Sequence, residues 1–240
     1  MTADTETDAR VGTHQPDHMS AWWWLWLPLS VLIALGVLDS GLNGPGKIWL
    51  YSETGPLEGL QNLLLLASVV MAALILGIKR VRQNLWMSLW VTILALGALY
   101  TAGEEASWGQ HFFNWATPET WQQINDQNET NLHNTSSWLD QKPRTLLELG
   151  VIVGGIVLPL VALAYPALRR WHYAILLPPL ICMPTALLAE AARLTERAVE
   201  AALGDTFLFS RASEVQELFF YFFLLLYLVV LRRRLTEATI

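Results

Sequence analysis

The stretch that decides the fold is LWMSLWVTILALGALYTAGEEASWGQ, Leu85 to Gln110. Eighteen uncharged residues, Leu85 to Ala102, lead directly to two adjacent carboxylates, Glu104 and Glu105. A run of roughly 18 residues with few or no charges is long enough to cross a bilayer as a helix. The stretch therefore reads as a membrane helix that ends where ionisable groups meet water.

Outward from it the pattern repeats. Ala21–Leu38, Gly59–Ile78, Leu149–Leu168 and Trp171–Ala189 are further runs without charge, taking His172 as neutral. Leu218–Leu231 is shorter, fourteen residues, and needs its polar neighbours to reach across. The composition agrees: 15% of the 240 residues are charged, against about 25% in soluble domains. The expected fold is all-α, a polytopic membrane protein built as a six-transmembrane-helix bundle. Its spans fall at about 21–39, 58–78, 84–104, 148–168, 171–191 and 213–231, within a single membrane domain of residues 21–234. Residues 1–20 read as a disordered cytoplasmic tail and 235–240 as a second cytoplasmic tail.

Basic residues in short loops set membrane orientation. Lys79, Arg80 and Arg82, then Arg169 and Arg170, then Arg232, Arg233 and Arg234 fall on one side if all six runs span, which puts both termini in the cytoplasm. No acid lies in a cytoplasmic loop. Rising about 1.5 Å per residue from those basic clusters brings Glu58, Glu104, Glu148 and Glu190 to the outer edge of a ~30 Å hydrocarbon core. Glu217 comes out deeper, inside the apolar slab, so it is expected to face the bundle rather than lipid. Glu214, Glu217 and Tyr221 share one helix face. Asp39, Glu104, Glu105 and Glu190 read as lying at helix C-termini, where the helix dipole disfavours them. Arg193 and Arg197 are spaced to partner Glu190.

The outer segment, 103–147, is too long for a minimal connection. Continued as helix, GEEASWGQHFF places Glu104, Ser107 and His111 on one face. ATPETWQQIND carries a helix-start signal, with Thr117 as N-cap and Pro118 at the first helical position. A short amphipathic helix is thus expected at about 118–126, lying on the outer leaflet among Trp115, Trp121 and Trp138. In NETNLHN, Glu129 and His133 are four apart. GVIVGG, residues 150–155, offers small residues for close helix approach.

Two chemistries fit these residues. His111, His133, Glu129, Glu190 and Glu214 are the right types to ligate a divalent metal, zinc or iron. Glu104, Glu105 and Glu217 are then candidate acid/base groups for a metal-assisted enzyme acting on a lipid or lipid-linked substrate in an outward-facing pocket. The spacing matches neither HExxH nor the ExxH of di-iron bundles. In the other reading the histidines pair with the acids and hold the outer segment down. The chain is then a non-enzymatic membrane subunit or small transporter, using its Trp-rich outer segment to bind a partner. A net charge of −6, with no basic patch interleaved with aromatics, argues against nucleic-acid binding.

The stretches GEEASWGQHFFNWATPE and NDQNETNLHN resemble those of an uncharacterised family of multi-pass bacterial membrane proteins, which carries GEExSWGQ, TPE and NxQxExNLHN. The resemblance covers mainly residues 103–134. It implies a bacterial inner-membrane setting and no particular activity.

Overall fold

In the computed structural model, residues 19–125, 128–132, 135–204 and 209–237 are described, apart from the side chains at 111, 137, 139–141 and 203. The expected N-terminal tail, His133 and the His111 side chain lie outside these. The described residues are all helix and connection. Six segments are long and apolar enough to cross a membrane: Trp22–Gly41, Pro56–Leu76, Leu85–Glu105, Lys142–Ala164, Ala174–Ala202 and Ala212–Glu237.

Among the described residues, the α-helices of seven residues or more are α1 (Leu27–Gly41), α2 (Gly44–Leu50), α3 (Pro56–Leu76), α4 (Leu85–Glu105), α5 (Ser137–Val151), α6 (Leu158–Ala164), α7 (Met183–Leu203) and α8 (Ala212–Glu237). Pro56 at the first position of α3 and Asn84 capping α4 through Met87 N start two of them cleanly. Among the described residues two π-helical turns occur, Trp22–Trp26 leading into α1 and Ile152–Val157 joining α5 to α6. Each lies just ahead of a proline, Pro28 or Pro159. A proline has no N–H for the i−4 carbonyl and crowds it, so the preceding turn widens.

α8 is the axis. Its sequence FFYFFLLLYLVVL is apolar all round, the pattern of a helix enclosed by others, and Phe219, Phe220, Leu228 and Leu231 are fully buried. α3 and α7 pack along it and α4 packs on α3. In α3 the polarity is the reverse of a soluble bundle: Gln61, Asn62 and Ser68 are buried while Leu63, Leu66, Val70 and Leu74 are exposed. α4 likewise exposes Trp86, Ile93 and Leu96. Polar atoms turned inward and aliphatic ones outward suit an apolar solvent.

The bundle has a basic end and an acidic end. At the basic end Tyr227 Oη donates to the Leu176 carbonyl at 2.6 Å and accepts from Trp90 Nε1 at 2.9 Å. Arg234 donates to the Leu177 carbonyl at 2.8 Å. A shallow apolar concavity of about 480 Å³, lined by Val161, Tyr165, Ala167, Leu168 and Trp171, lies at this end.

The fifth segment departs from expectation. Between Trp171 and Cys182 the chain makes only isolated 3₁₀ turns, because Pro178–Pro179 interrupts the hydrogen-bond ladder. Continuous helix then runs on to Leu203, where Gly204 adopts φ +69° and caps it. The Ala-, Glu- and Arg-rich sequence after Glu190 is strongly helix-forming. Glu190 is therefore mid-helix, not at a C-terminus as its place at the end of an apolar run suggests.

Candidate functional site

α4 stops at Glu105 because the next residues leave right-handed space: Ser107, Trp108 and Gly109 have φ of +44°, +55° and +105°. Only glycine adopts such a backbone without strain. The expected helical continuation through His111 is thus incorrect, and Glu104, Ser107 and His111 do not share a helix face. The turn folds Trp108 back over Gly103, where a Cβ would stand 2.8 Å from the indole ring. Glu104, 5% exposed, accepts from Trp108 Nε1 and from the Leu132 backbone N–H, each at 2.7 Å.

The second motif answers the first. Glu129 Oε2 accepts from Ser107 Oγ at 2.8 Å and from Asn131 Nδ2 at 2.6 Å. Asn125 Nδ2 donates to the carbonyl and side chain of Asn131, and Asn125 Oδ1 receives the Glu129 N–H. Gln110 Oε1 accepts from the Thr130 N–H at 2.8 Å, while its Nε2 donates to Thr117 Oγ1 at 2.7 Å. GEEASWGQ and NETNL are two halves of one buried polar clasp. With Thr117 Oγ1 donating to the Asn128 carbonyl, Thr117 does not cap a helix. The cap position is Pro118, and the expected 118–126 helix is a single turn, Glu119–Gln122.

Beside the clasp, other polar groups meet around the first turns of α8. From α1, Asp39 Oδ2 accepts from Lys47 Nζ at 3.4 Å and from the Ser210 N–H and Oγ, each at 3.2 Å. Tyr51 lies next to Asp39 and within electrostatic reach of Glu214. Burial first, then the Asp39 carboxylate, hold its hydroxyl above the usual tyrosine range, so it stays protonated. From α3, Gln61 Nε2 donates to the Glu214 carbonyl at 2.9 Å. Glu58 lies one turn earlier on the same face of α3. From α4, Glu105 Oε1 accepts from Tyr221 Oη at 2.8 Å. From α5, Arg144 pairs with Glu217 at 3.2 Å and donates to the Ser213 carbonyl at 3.1 Å. From α7, Glu190 lies near Gln216, whose Nε2 donates to Glu148 Oε1 of α5 at 3.4 Å.

Each of the site residues expected from sequence now has a place. Glu104 and Glu129 belong to the clasp, where structural donors occupy both oxygens of Glu104 and Oε2 of Glu129. Glu105, Glu214 and Glu217 stand at the foot of α8, and Glu217 faces Arg144 in the bundle rather than the surrounding solvent. Glu190 sits on the α7 side of α8, near Arg197; Arg193 turns away to pair with Glu196, against the expected pairing with Glu190. Among the described residues, no three His, Cys, Asp or Glu side chains come together closely enough to hold a metal ion. Of the proposed metal ligands, His133 and the His111 side chain lie outside the described residues, Glu129 lies in the clasp, and Glu190 and Glu214 lie on α7 and α8.

Gln61, Gln216 and Arg144 escaped the sequence reading. The first has a usable signal, a buried-type amide inside an otherwise apolar run, which membrane helices keep only where it faces protein. No protein-family model matches this chain, and neither a curated protein nor a solved structure is similar to it, so function is argued from the geometry.

Proposed function

We propose that this chain is a multi-pass membrane protein whose acidic end binds a cationic group presented at the membrane surface. Six apolar segments and the inside-out polarity of α3 support the membrane setting. The three basic clusters at one end favour both termini in the cytoplasm, and the motif resemblance favours a bacterial inner membrane. One observation carries the functional reading: carboxylates from separate helices, Asp39, Glu105, Glu148, Glu214 and Glu217, are tied by hydrogen bonds and ion pairs to residues in and around the first turns of the central helix. Acidic groups drawn together in partly apolar surroundings favour a cationic partner. Binding is favoured over acid/base catalysis because each expected acid/base group already has a structural partner: Glu104 accepts two hydrogen bonds in the clasp, Glu105 accepts from Tyr221 Oη and Glu217 pairs with Arg144.

A second reading rests on the outer segment. Phe112, Phe113 and Trp138 are 69%, 78% and 64% exposed, and Phe113 stacks on Trp115 at 6.0 Å. That aromatic ridge suits the interfacial lipid layer or a partner embedded in it.

Isothermal titration of purified protein with inorganic and organic cations tests the first reading. The wild type is expected to bind at least one cation saturably, and the Glu105→Gln/Glu214→Gln double variant to lose that binding. Absence of saturable binding by any cation, with a folded wild type, contradicts it.

A further inference from the structure

The basic end of the bundle has a corner of its own, after α6. That helix stops at Ala164 because Pro166 takes the residue before it, Tyr165, out of helical space to φ −119° and ψ 91°. One further turn, Pro166–Arg169, leads to Trp171. Arg169 Nε donates to the Ala162 carbonyl at 2.6 Å, which lays the guanidinium against the last turn of α6. The apolar concavity of about 480 Å³ opens at the same place: Val161, next to Ala162, lines it, as do Tyr165, Leu168 and Trp171. Arg169 and Arg170 lie between Leu168 and Trp171 in the chain, so both cations leave from its rim.

The chemistry of this corner selects a ligand. Both arginines are exposed, and among the described residues neither takes part in an ion pair. No Asp or Glu occurs between Glu148 and Glu190, so the surrounding sequence brings no acid to them. Arginine carries five N–H donors in a planar fork that matches a phosphate. Among the described residues, Arg169 spends one of them within the chain and the Arg170 side chain none. Below the arginines, Val157 is exposed one turn before Val161 and extends the apolar surface toward mid-membrane. Tyr165 and Trp171, 65% and 51% exposed, suit the level where aromatic rings meet headgroups. Two unneutralised cations beside an apolar hollow complement an amphiphile with an anionic head. A dissolved anion would leave the hollow unused, and a lipid without net charge would leave the arginines unmatched.

We propose that this corner binds one anionic phospholipid of the cytoplasmic leaflet, its phosphate on Arg169 and Arg170 and an acyl chain in the hollow. The site rests on the membrane setting proposed above and is independent of the cation reading at the opposite end.

The full chain, purified in detergent and titrated with lipid, tests this by native mass spectrometry, with thermal melting as a second readout. The probes are phosphatidylglycerol and phosphatidylcholine with the same acyl chains, and inorganic phosphate alone. Phosphatidylglycerol is expected to bind the more tightly and to raise the melting temperature more. Arg169→Gln/Arg170→Gln weakens that binding about thirtyfold, or about fivefold for each basic residue drawn to an anionic headgroup. Ala167→Trp, which fills the hollow and keeps both charges, weakens it too. Arg80→Gln/Arg82→Gln takes the same charge from another loop at the basic end and leaves it nearly unchanged. Melting curves without lipid separate lost binding from lost folding, and Arg170→Gln alone serves if the double variant misfolds. Equal binding of the two lipids, or an equal loss in the Arg80/Arg82 variant, overturns the site in favour of general charge attraction. Phosphatidylglycerol binding unchanged by Ala167→Trp overturns the place given to the acyl chain. A melting shift with phosphate alone as large as with lipid overturns the lipid assignment. A chain that stays monodisperse without detergent overturns the membrane setting instead.

Discussion

Replacement of Glu104 by alanine is expected to open the clasp. The substitution removes the acceptor of two buried donors, Trp108 Nε1–H and the Leu132 N–H, both at 2.7 Å. Hydrogen bonds to an ionised group contribute about 1.5–3 kcal/mol each, so the loss is about 3 kcal/mol or more. The strained turn adds to it, since Ser107 and Trp108 hold positive φ only while their side chains are anchored. The expected result is a lower melting temperature and rapid proteolysis between residues 106 and 132, with the helices still protected. Glu104→Gln keeps one acceptor oxygen, so it should fall between the wild type and the alanine variant. A Glu104→Ala protein as protease-resistant as the wild type contradicts the clasp.

Gly155→Leu is the second large effect. A Cβ at Gly155 would lie 2.6 Å from Ala186 Cβ and 2.8 Å from the Phe223 ring. Both neighbours belong to helices that cannot yield cheaply: Ala186 on α7 is fully buried, and Phe223 is on the central helix. Overpacking of this kind costs about 1–3 kcal/mol for a few added methylenes, and a leucine pushes α5–α6 away from both partners. Gly150→Leu makes a matched control, because nothing lies within 4 Å of a Cβ there. The melting temperature in detergent is expected to fall sharply for the first and little for the second. Equal effects mean that the π-helical turn does not seat α5–α6 on α7 and α8.

The spans were legible because apolar run length reports directly on bilayer thickness, a property each segment carries alone. Helix ends were not, since a charge ends an apolar run without ending a helix. Glu190 shows one direction of that error: α7 continues past it on Ala-, Glu- and Arg-rich sequence. Ser107–Gly109 show the other, where a helix breaks because Glu129, Thr130 and Asn131, distant in sequence, hold the chain in a left-handed turn. The same long-range fact hid the role of the motifs. Glu104, Ser107 and Glu129 look like chemistry when read along the chain, and act as mutual anchors when folded. Gln61 was passed over for the opposite reason, lost inside a run read only for its lack of charge.

The account depends on the acid-bearing helix ends meeting around the start of α8. Cross-linking of paired cysteines in a Cys182→Ser background tests that most directly. With a short thiol-specific reagent, Glu58→Cys paired with Glu214→Cys, and Glu105→Cys paired with Tyr221→Cys, are expected to link rapidly within one chain. Lys79→Cys paired with Glu214→Cys, at opposite ends of the bundle, should not. Folded protein in which neither acidic-end pair links, or in which the distant pair links equally well, contradicts the arrangement.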